Sequence, residues 1–191
     1  MSIATTAPAP LLILDRDGVI NHDSDAFIKS ADEWQPIPGS LAAIAQFKRA
    51  GWLVAVATNQ SGIARGYYDR LALRAMHLKL NELLVSEFDV RLDWLCYAPY
   101  LSDQPNVARK PLTGMLRQIS LTLNRPLPQQ IMVGDTLADI RAAQAAGMRP
   151  YLVRSGKGER TLAAHPELAQ QLPVCDDLAA VAAGLLTQLK E

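Results

Sequence analysis

Leu11-Leu12-Ile13-Leu14-Asp15-Arg16-Asp17-Gly18-Val19-Ile20-Asn21 runs four aliphatic residues straight into two carboxylates, a glycine and an asparagine. An unbroken apolar run of this length reads as a strand buried on both faces, as in a parallel sheet covered by helices. Asp15 and Asp17 then fall just past its carboxyl end, where open α/β sheets bind their ligands. Gly18 allows a sharp turn out of the strand. Two acids this close to a hydrophobic core repel each other and are costly without a cation. The same residues could also form a solvated turn, since Asp and Gly both favour turns.

The flanking chain favours the first reading. A polar segment over 22–35 ends at Pro36-Ile37-Pro38-Gly39-Ser40, with Ser40 as the expected N-cap. Leu41, Ile44, Ala45 and Phe47 give a helical stripe that stops near Gly51. Leu53-Val54-Ala55-Val56-Ala57 reads as a second buried strand, ending in Thr58-Asn59-Gln60-Ser61-Gly62. A helix is expected over 69–86, a strand over 92–97 and a helix over 113–123. A strand over 130–133 then leads through Gly134-Asp135-Thr136-Leu137-Ala138-Asp139 into an alanine-rich helix that stops at Gly147. A fifth strand over 150–153 and a last helix over 176–189 close the chain. Strands alternate with helices, so the class is α/β with a mainly parallel sheet and right-handed crossovers. With no repeat and no internal linker, the expected organisation is a flexible tail over 1–10 and a single domain over 11–191.

Composition narrows the function. Nineteen basic side chains balance nineteen acidic ones, which argues against a nucleic-acid or membrane surface. Residues 1–10 lack the basic start and apolar core of a signal peptide, and no apolar run approaches the roughly 20 residues that span a bilayer. Cys96 and Cys175 lie far apart with no Cys-x-x-Cys spacing, so reduced thiols in a cytoplasmic protein are expected. His22, His77 and His165 have no metal-ligand spacing and read as structural or exposed.

All carboxyl ends of a parallel sheet lie on one edge, so the polar clusters converge. Asp15 and Asp17 follow strand one, Thr58 to Ser61 follow strand two, Arg109 and Lys110 follow strand three after a loop, and Asp135 and Asp139 follow strand four. Carboxylates for a metal, donors for oxyanions and a cation form the inventory of phosphoryl transfer.

Asp15-x-Asp17-Gly18, Thr58, Lys110 and Gly134-Asp135-x-x-x-Asp139 resemble the four motifs of haloacid-dehalogenase (HAD) superfamily phosphatases. Asp15 to Asn21, Thr58 to Gly66 and Arg109-Lys110-Pro111-x-x-Gly114-Met115-Leu116 are similar to the heptose bisphosphate and histidinol phosphatase branch, with Gly62 to Gly66 favouring the heptose enzymes. The resemblance covers Leu11 to Gly158. It implies a three-layer, Rossmann-like HAD-like sheet with a minimal cap or none. It also implies a magnesium-dependent monomeric phosphatase acting on a small phosphorylated sugar, D-glycero-D-manno-heptose 1,7-bisphosphate, in the supply of lipopolysaccharide precursors. Histidinol phosphate is the alternative substrate, and a receiver-like phospho-aspartate module the alternative outside enzymes.

By the same resemblance Asp15 is the nucleophile and Asp17 the general acid and base. Thr58 and Asn59 hold phosphoryl oxygens together with Gln60 and Ser61, and Lys110 neutralises the transferring group. Magnesium takes Asp15, the Asp17 carbonyl and Asp135, with Asp139 behind them or merely capping a helix. Arg109 grips the second phosphate or the sugar end of the substrate, and Asp23 and Asp25 either approach the sugar or belong to a solvated loop. Relatives in this branch usually carry a zinc loop of cysteines and a histidine before the Arg-Lys pair. Here Ala98 to Ala108 contains neither residue, so no zinc is expected. Thr136 stands where some relatives have a lysine.

Overall fold

All four side chains of strand β1 (Leu11–Leu14) are apolar and fully buried, which puts the strand in the middle of the molecule. Full burial of each aliphatic side chain contributes about 1.5–3 kcal/mol. In the computed structural model, which describes residues 8–104 and 106–187, β1 pairs in parallel with β2 (Leu53–Asn59) on one side and β4 (Ile131–Gly134) on the other. Beyond them lie β3 (Trp94–Ala98), β5 (Arg149–Val153) and β6 (Val174–Cys175), so the parallel sheet runs β3-β2-β1-β4-β5-β6.

Alternation along the strands divides the core into two layers. Leu12 and Leu14 face a cluster built with α1 (Ser40–Arg49), α3 (Arg70–Phe88) and α8 (Leu178–Thr187). Leu11 and Ile13 face the opposite cluster, which holds Met115, Leu116 and Ile119 of α4 (Gly114–Leu123) and Ala142 and Ala143 of α5 (Leu137–Ala145). Helix, sheet and helix form three layers, the expected HAD-like arrangement. Short helices α2 (Ser61–Ala64), α6 (Gly158–Ala164) and α7 (Leu168–Gln171) complete it. No helix among the described residues is long and apolar enough to cross a membrane.

The expected elements recur with shifted ends. β2 runs on through Thr58 and Asn59, because both continue the pairing with Tyr97 and Ala98 of β3. β6 and the three short helices were not foreseen, since two to seven residues carry too little periodicity to read. Ser40 is not a cap. Gly39 holds that position at φ +83°, and the Ser40 hydroxyl donates instead to the Ile20 carbonyl at 2.6 Å. Of the expected tail, residues 1–7 lie outside the described residues. Its last part is pinned: the Pro10 carbonyl accepts from Leu53 N at 2.9 Å and the Ala9 carbonyl from Arg125 Nε at 3.1 Å. The last helix ends at Thr187, the limit of what is described.

Gly134 closes β4 where α5 crosses it. A Cβ there would lie 2.2 Å from the Asp139 Cβ, so the first turn of α5 can approach the strand only because position 134 has no side chain. Gly134→Ala should therefore lower folding stability by about 1–3 kcal/mol, the usual cost of overpacking. Urea denaturation at equilibrium checks this, and an unchanged midpoint would show that α5 can move away freely.

Candidate active site

β1 and β4 are neighbours, but their chain connections leave in opposite directions across the sheet. That is the point where a doubly wound sheet opens a crevice at its carboxyl edge. Asp15 and Asp135 are the first residues beyond these two strands, and they line one wall of a pocket of about 320 Å³. Thr58 and Asn59 reach it as the last residues of β2. Lys110 arrives from the loop after β3, its backbone braced by Asn59. The Asn59 amide donates to the Lys110 carbonyl at 3.0 Å, and its oxygen accepts from Lys110 N at 3.1 Å.

The Lys110 ammonium is buried, 3.0 Å from Asp15 Oδ2, 2.6 Å from Asp139 Oδ1 and 2.7 Å from the Ala57 carbonyl it donates to. Burial alone would lower the lysine pKa, but the two carboxylates outweigh it and hold the ammonium charged. Asp139 also caps α5: its Oδ2 accepts from Thr136 N at 3.1 Å and from the Thr136 hydroxyl. Asp139 thus meets Lys110 and caps the helix start, and it stands beside Asp15 and Asp135, where both the place behind the metal and the helix cap expected for it fall.

Asp15 Oδ1 accepts from Arg16 N at 2.7 Å. Burial pushes the Asp15 carboxyl up to about 7; Lys110 opposes this, while Asp139 and Asp17 add to it. Asp135 is raised well above the carboxylate range, first by burial and then by Asp139 and Asp15. Its Oδ2 accepts from Lys157 N at 2.7 Å, but its buried Oδ1 has no hydrogen-bond partner. Carboxylate oxygens of Asp15, Asp135 and Asp139 lie within 4.8 Å of one another. Gly18, at φ +83°, leaves the space beside them open, since a Cβ there would lie 2.1 Å from Asp135 Oδ2. Crowded oxygen ligands with one orphaned atom suit a hard divalent cation such as Mg²⁺.

Asp17, two residues on, is in the opposite state. Burial would raise its carboxyl, but Arg16 together with Asn21 and Gln60 holds it below the ordinary value. Oδ1 accepts from Arg16 Nε and Nη2 at 3.0 and 2.8 Å and from Asn21 Nδ2 at 2.8 Å. Oδ2 accepts from Arg16 Nη2 at 2.9 Å and Gln60 Nε2 at 2.8 Å. Gln60 also donates to the Thr58 hydroxyl at 2.9 Å, while its Oε1 accepts from the Tyr68 hydroxyl at 2.5 Å. The Asn59 and Gln60 side chains, both expected to contact substrate, make these bonds to protein groups and also line the pocket. Ser61 lines the pocket at the start of α2.

The segment from Asp15 to Gly39 is tied by an Asn21–Pro36 bridge and contributes to the pocket lining. Asp23, Ser24, Asp25, Phe27 and Ile28 line the mouth. Asp23 pairs with Lys157 Nζ at 2.6 Å, and Asp25 with Arg160 at 2.8 and 2.9 Å. Sequence reasoning missed Lys157 and Arg160, although Gly156-Lys157-Gly158 after an apolar strand was a visible signal. Arg109 lines the pocket opposite and donates from Nη1 to the Tyr100 carbonyl at 3.1 Å. The loop without cysteines holds it through Asn106: Arg109 N donates to the Asn106 carbonyl at 3.1 Å and Ala108 N to the Asn106 side-chain Oδ1 at 2.9 Å.

A family model described as HAD-hydrolase-like matches residues 107–181. The chain is 53% identical to a D-glycero-β-D-manno-heptose-1,7-bisphosphate 7-phosphatase of Pseudomonas aeruginosa, over 92% of this chain and 97% of that protein. The crystal structure of D,D-heptose 1,7-bisphosphate phosphatase from B. bronchiseptica, complexed with magnesium and phosphate, superposes with a TM-score of 0.88 and 47% identity, over 94% and 99% of the two chains. The corresponding enzyme from Burkholderia thailandensis gives 0.71 and 40%, over 93% and 98%. A phosphatase sheet with its acids at the switch point, and near-complete overlap with these relatives, lead to one assignment: the chain belongs to the heptose-1,7-bisphosphate 7-phosphatase family of HAD-like hydrolases, and it is a phosphoric monoester hydrolase.

Proposed function

We propose that this chain removes the C7 phosphate of D-glycero-D-manno-heptose 1,7-bisphosphate through an aspartyl-phosphate on Asp15, with magnesium bound beside it. The observation that carries the reading is the Asp15 carboxylate at the pocket wall, flanked by Lys110 at 3.0 Å and facing the orphaned oxygen of Asp135. The names of the relatives support the substrate.

An Asp15 oxygen attacks phosphorus as the bond to the C7 oxygen breaks, and Asp17 gives its proton to the leaving alkoxide. Asp17 then takes a proton from the water that attacks the aspartyl-phosphate, and Asp15 leaves as a carboxylate. In the free enzyme Asp17 is held ionised, and an arriving phosphate adds the like charge that favours its protonated form. Lys110 offsets charge on the transferring group. The Thr58 hydroxyl, oriented by Gln60, offers it a donor. Asp15, Asp135 and the Asp17 carbonyl would hold Mg²⁺, which draws charge from the phosphoryl oxygens when bound. Arg109 grips the retained C1 phosphate, a task that suits a planar fork. The reading takes the enzyme as a monomer. The free thiols of Cys96 and Cys175 fit a reducing cytoplasm.

Measurements of turnover, melting temperature and substrate choice test this. Asp15→Asn should abolish phosphate release, while Asp17→Asn should slow it about a hundred- to ten-thousand-fold; near-normal turnover in both would defeat the mechanism. EDTA should stop turnover and magnesium restore it. Magnesium should also raise the melting temperature, because an ion bound only by the folded state stabilises it. Asp135→Asn should melt no lower than the parent without metal and lose the magnesium-dependent rise; a full rise in that variant would move the metal elsewhere. Arg109→Ala should lower kcat/KM for the bisphosphate by more than tenfold, since a charge-assisted hydrogen bond is worth about 1.5–3 kcal/mol, and change a monophosphate much less. Equal losses on both substrates would make Arg109 a support for the loop.

A further inference from the structure

Helix α3 contributes His77 to the neighbourhood of the site, yet neither the phosphoryl chemistry nor the pocket wall uses it. His77 sits in the helix with Met76 and Leu80, both buried in the core, so its backbone is fixed. Its Nε2 lies 3.2 Å from Nη1 of Arg16. Arginine only donates, so Nε2 accepts and the ring proton is on Nδ1. Burial, followed by the Arg16 charge, pushes the His77 pKa down to about 3, in keeping with a neutral acceptor. Arg16 is itself almost wholly buried and spends Nε and Nη2 on the Asp17 carboxylate. Its three contact nitrogens thus link one rigid post on α3 to one carboxylate at the site.

We propose that His77 is a positioning residue for proton transfer: by accepting from Arg16 Nη1 it locks the guanidinium that aims the Asp17 carboxylate at the leaving oxygen. Tyr68 does the same from the other side through Gln60. Without an acceptor at position 77, a buried N–H of Arg16 is left unpaired, the guanidinium turns to find a partner, and Asp17 turns with it. The inference rests on the reading of Asp17 as the proton donor.

The test compares kcat/KM for the heptose bisphosphate, whose alkoxide needs a proton to leave, with that for p-nitrophenyl phosphate, whose phenolate does not. This parameter covers only the transfer to Asp15, so hydrolysis of the aspartyl-phosphate does not mask the difference. His77→Phe keeps a ring and removes the acceptor. It should lower the value for the bisphosphate about tenfold, the scale of one misplaced charge-assisted contact, and leave p-nitrophenyl phosphate within about threefold. His77→Gln, which supplies an acceptor oxygen, should retain most of the activity. Should His77→Phe fail to fold, His77→Leu reads the same arm, since it too removes the acceptor while leaving the Arg16 contacts to Asp17 available. Equal losses on the two substrates, no loss on either, or the same loss in His77→Gln would overturn the proposal. Asp17→Asn separates the two levels. A substrate split there but not in His77→Phe defeats this inference alone, whereas equal losses in Asp17→Asn defeat the proton-donor reading beneath it.

Discussion

The buried Lys110 ammonium holds the functional end of the molecule together. Removing such a charge from water costs several kcal/mol unless it is paired and hydrogen-bonded. Here Asp15, Asp139 and the Ala57 carbonyl all meet it. Those three partners belong to the ends of β1 and β2 and to the first turn of α5, so satisfying one cation fixes three elements relative to one another. Asn59 adds the fourth tie by gripping the lysine backbone. Gly134 lets α5 come close enough for Asp139 to take part. The site is therefore not a loose collection of loop residues.

Around that centre the charges are separated by role. Asp15 and Asp17 are two residues apart in the chain, but burial among other acids raises one while a guanidinium and two amides lower the other. Two carboxylates whose environments drive them apart are suited to different tasks. The acids raised by crowding stand where a cation would relieve them. The acid held low stands where hydrogen bonds give it a single orientation.

The mouth of the pocket is organised differently. Its ion pairs, Asp23 with Lys157 and Asp25 with Arg160, are partly or fully exposed, and such pairs contribute little to stability. They tie the segment after β1 to the start of α6 without locking it. Arg109, across the pocket, hangs on backbone contacts within its own loop. The half of the pocket lined by Asp23, Asp25 and Arg109 is thus held more weakly than the half built around Lys110.

Much of this was legible in the chain. The run from Leu11 to Leu14 has no polar face, so it had to be a strand covered on both sides. Its abrupt end at Asp15 then had to lie at a sheet edge. Asp15, Thr58, Lys110 and Asp135 could be named because each follows an apolar strand in a recognisable order, and a parallel sheet brings such ends together whatever their spacing. What tertiary structure alone decided is which partners the remaining polar groups find. Asn59 and Gln60 face inward onto Lys110 and Asp17, Asp139 joins a helix cap to a lysine, and Arg16 reaches across to His77 on α3. Apart from the cap, a local pattern already visible in Thr136-x-x-Asp139, those contacts link residues tens of positions apart, and no local pattern encodes them. Periodicity reports which face of an element is buried, whereas a hydrogen bond depends on where two separately folded elements come to rest.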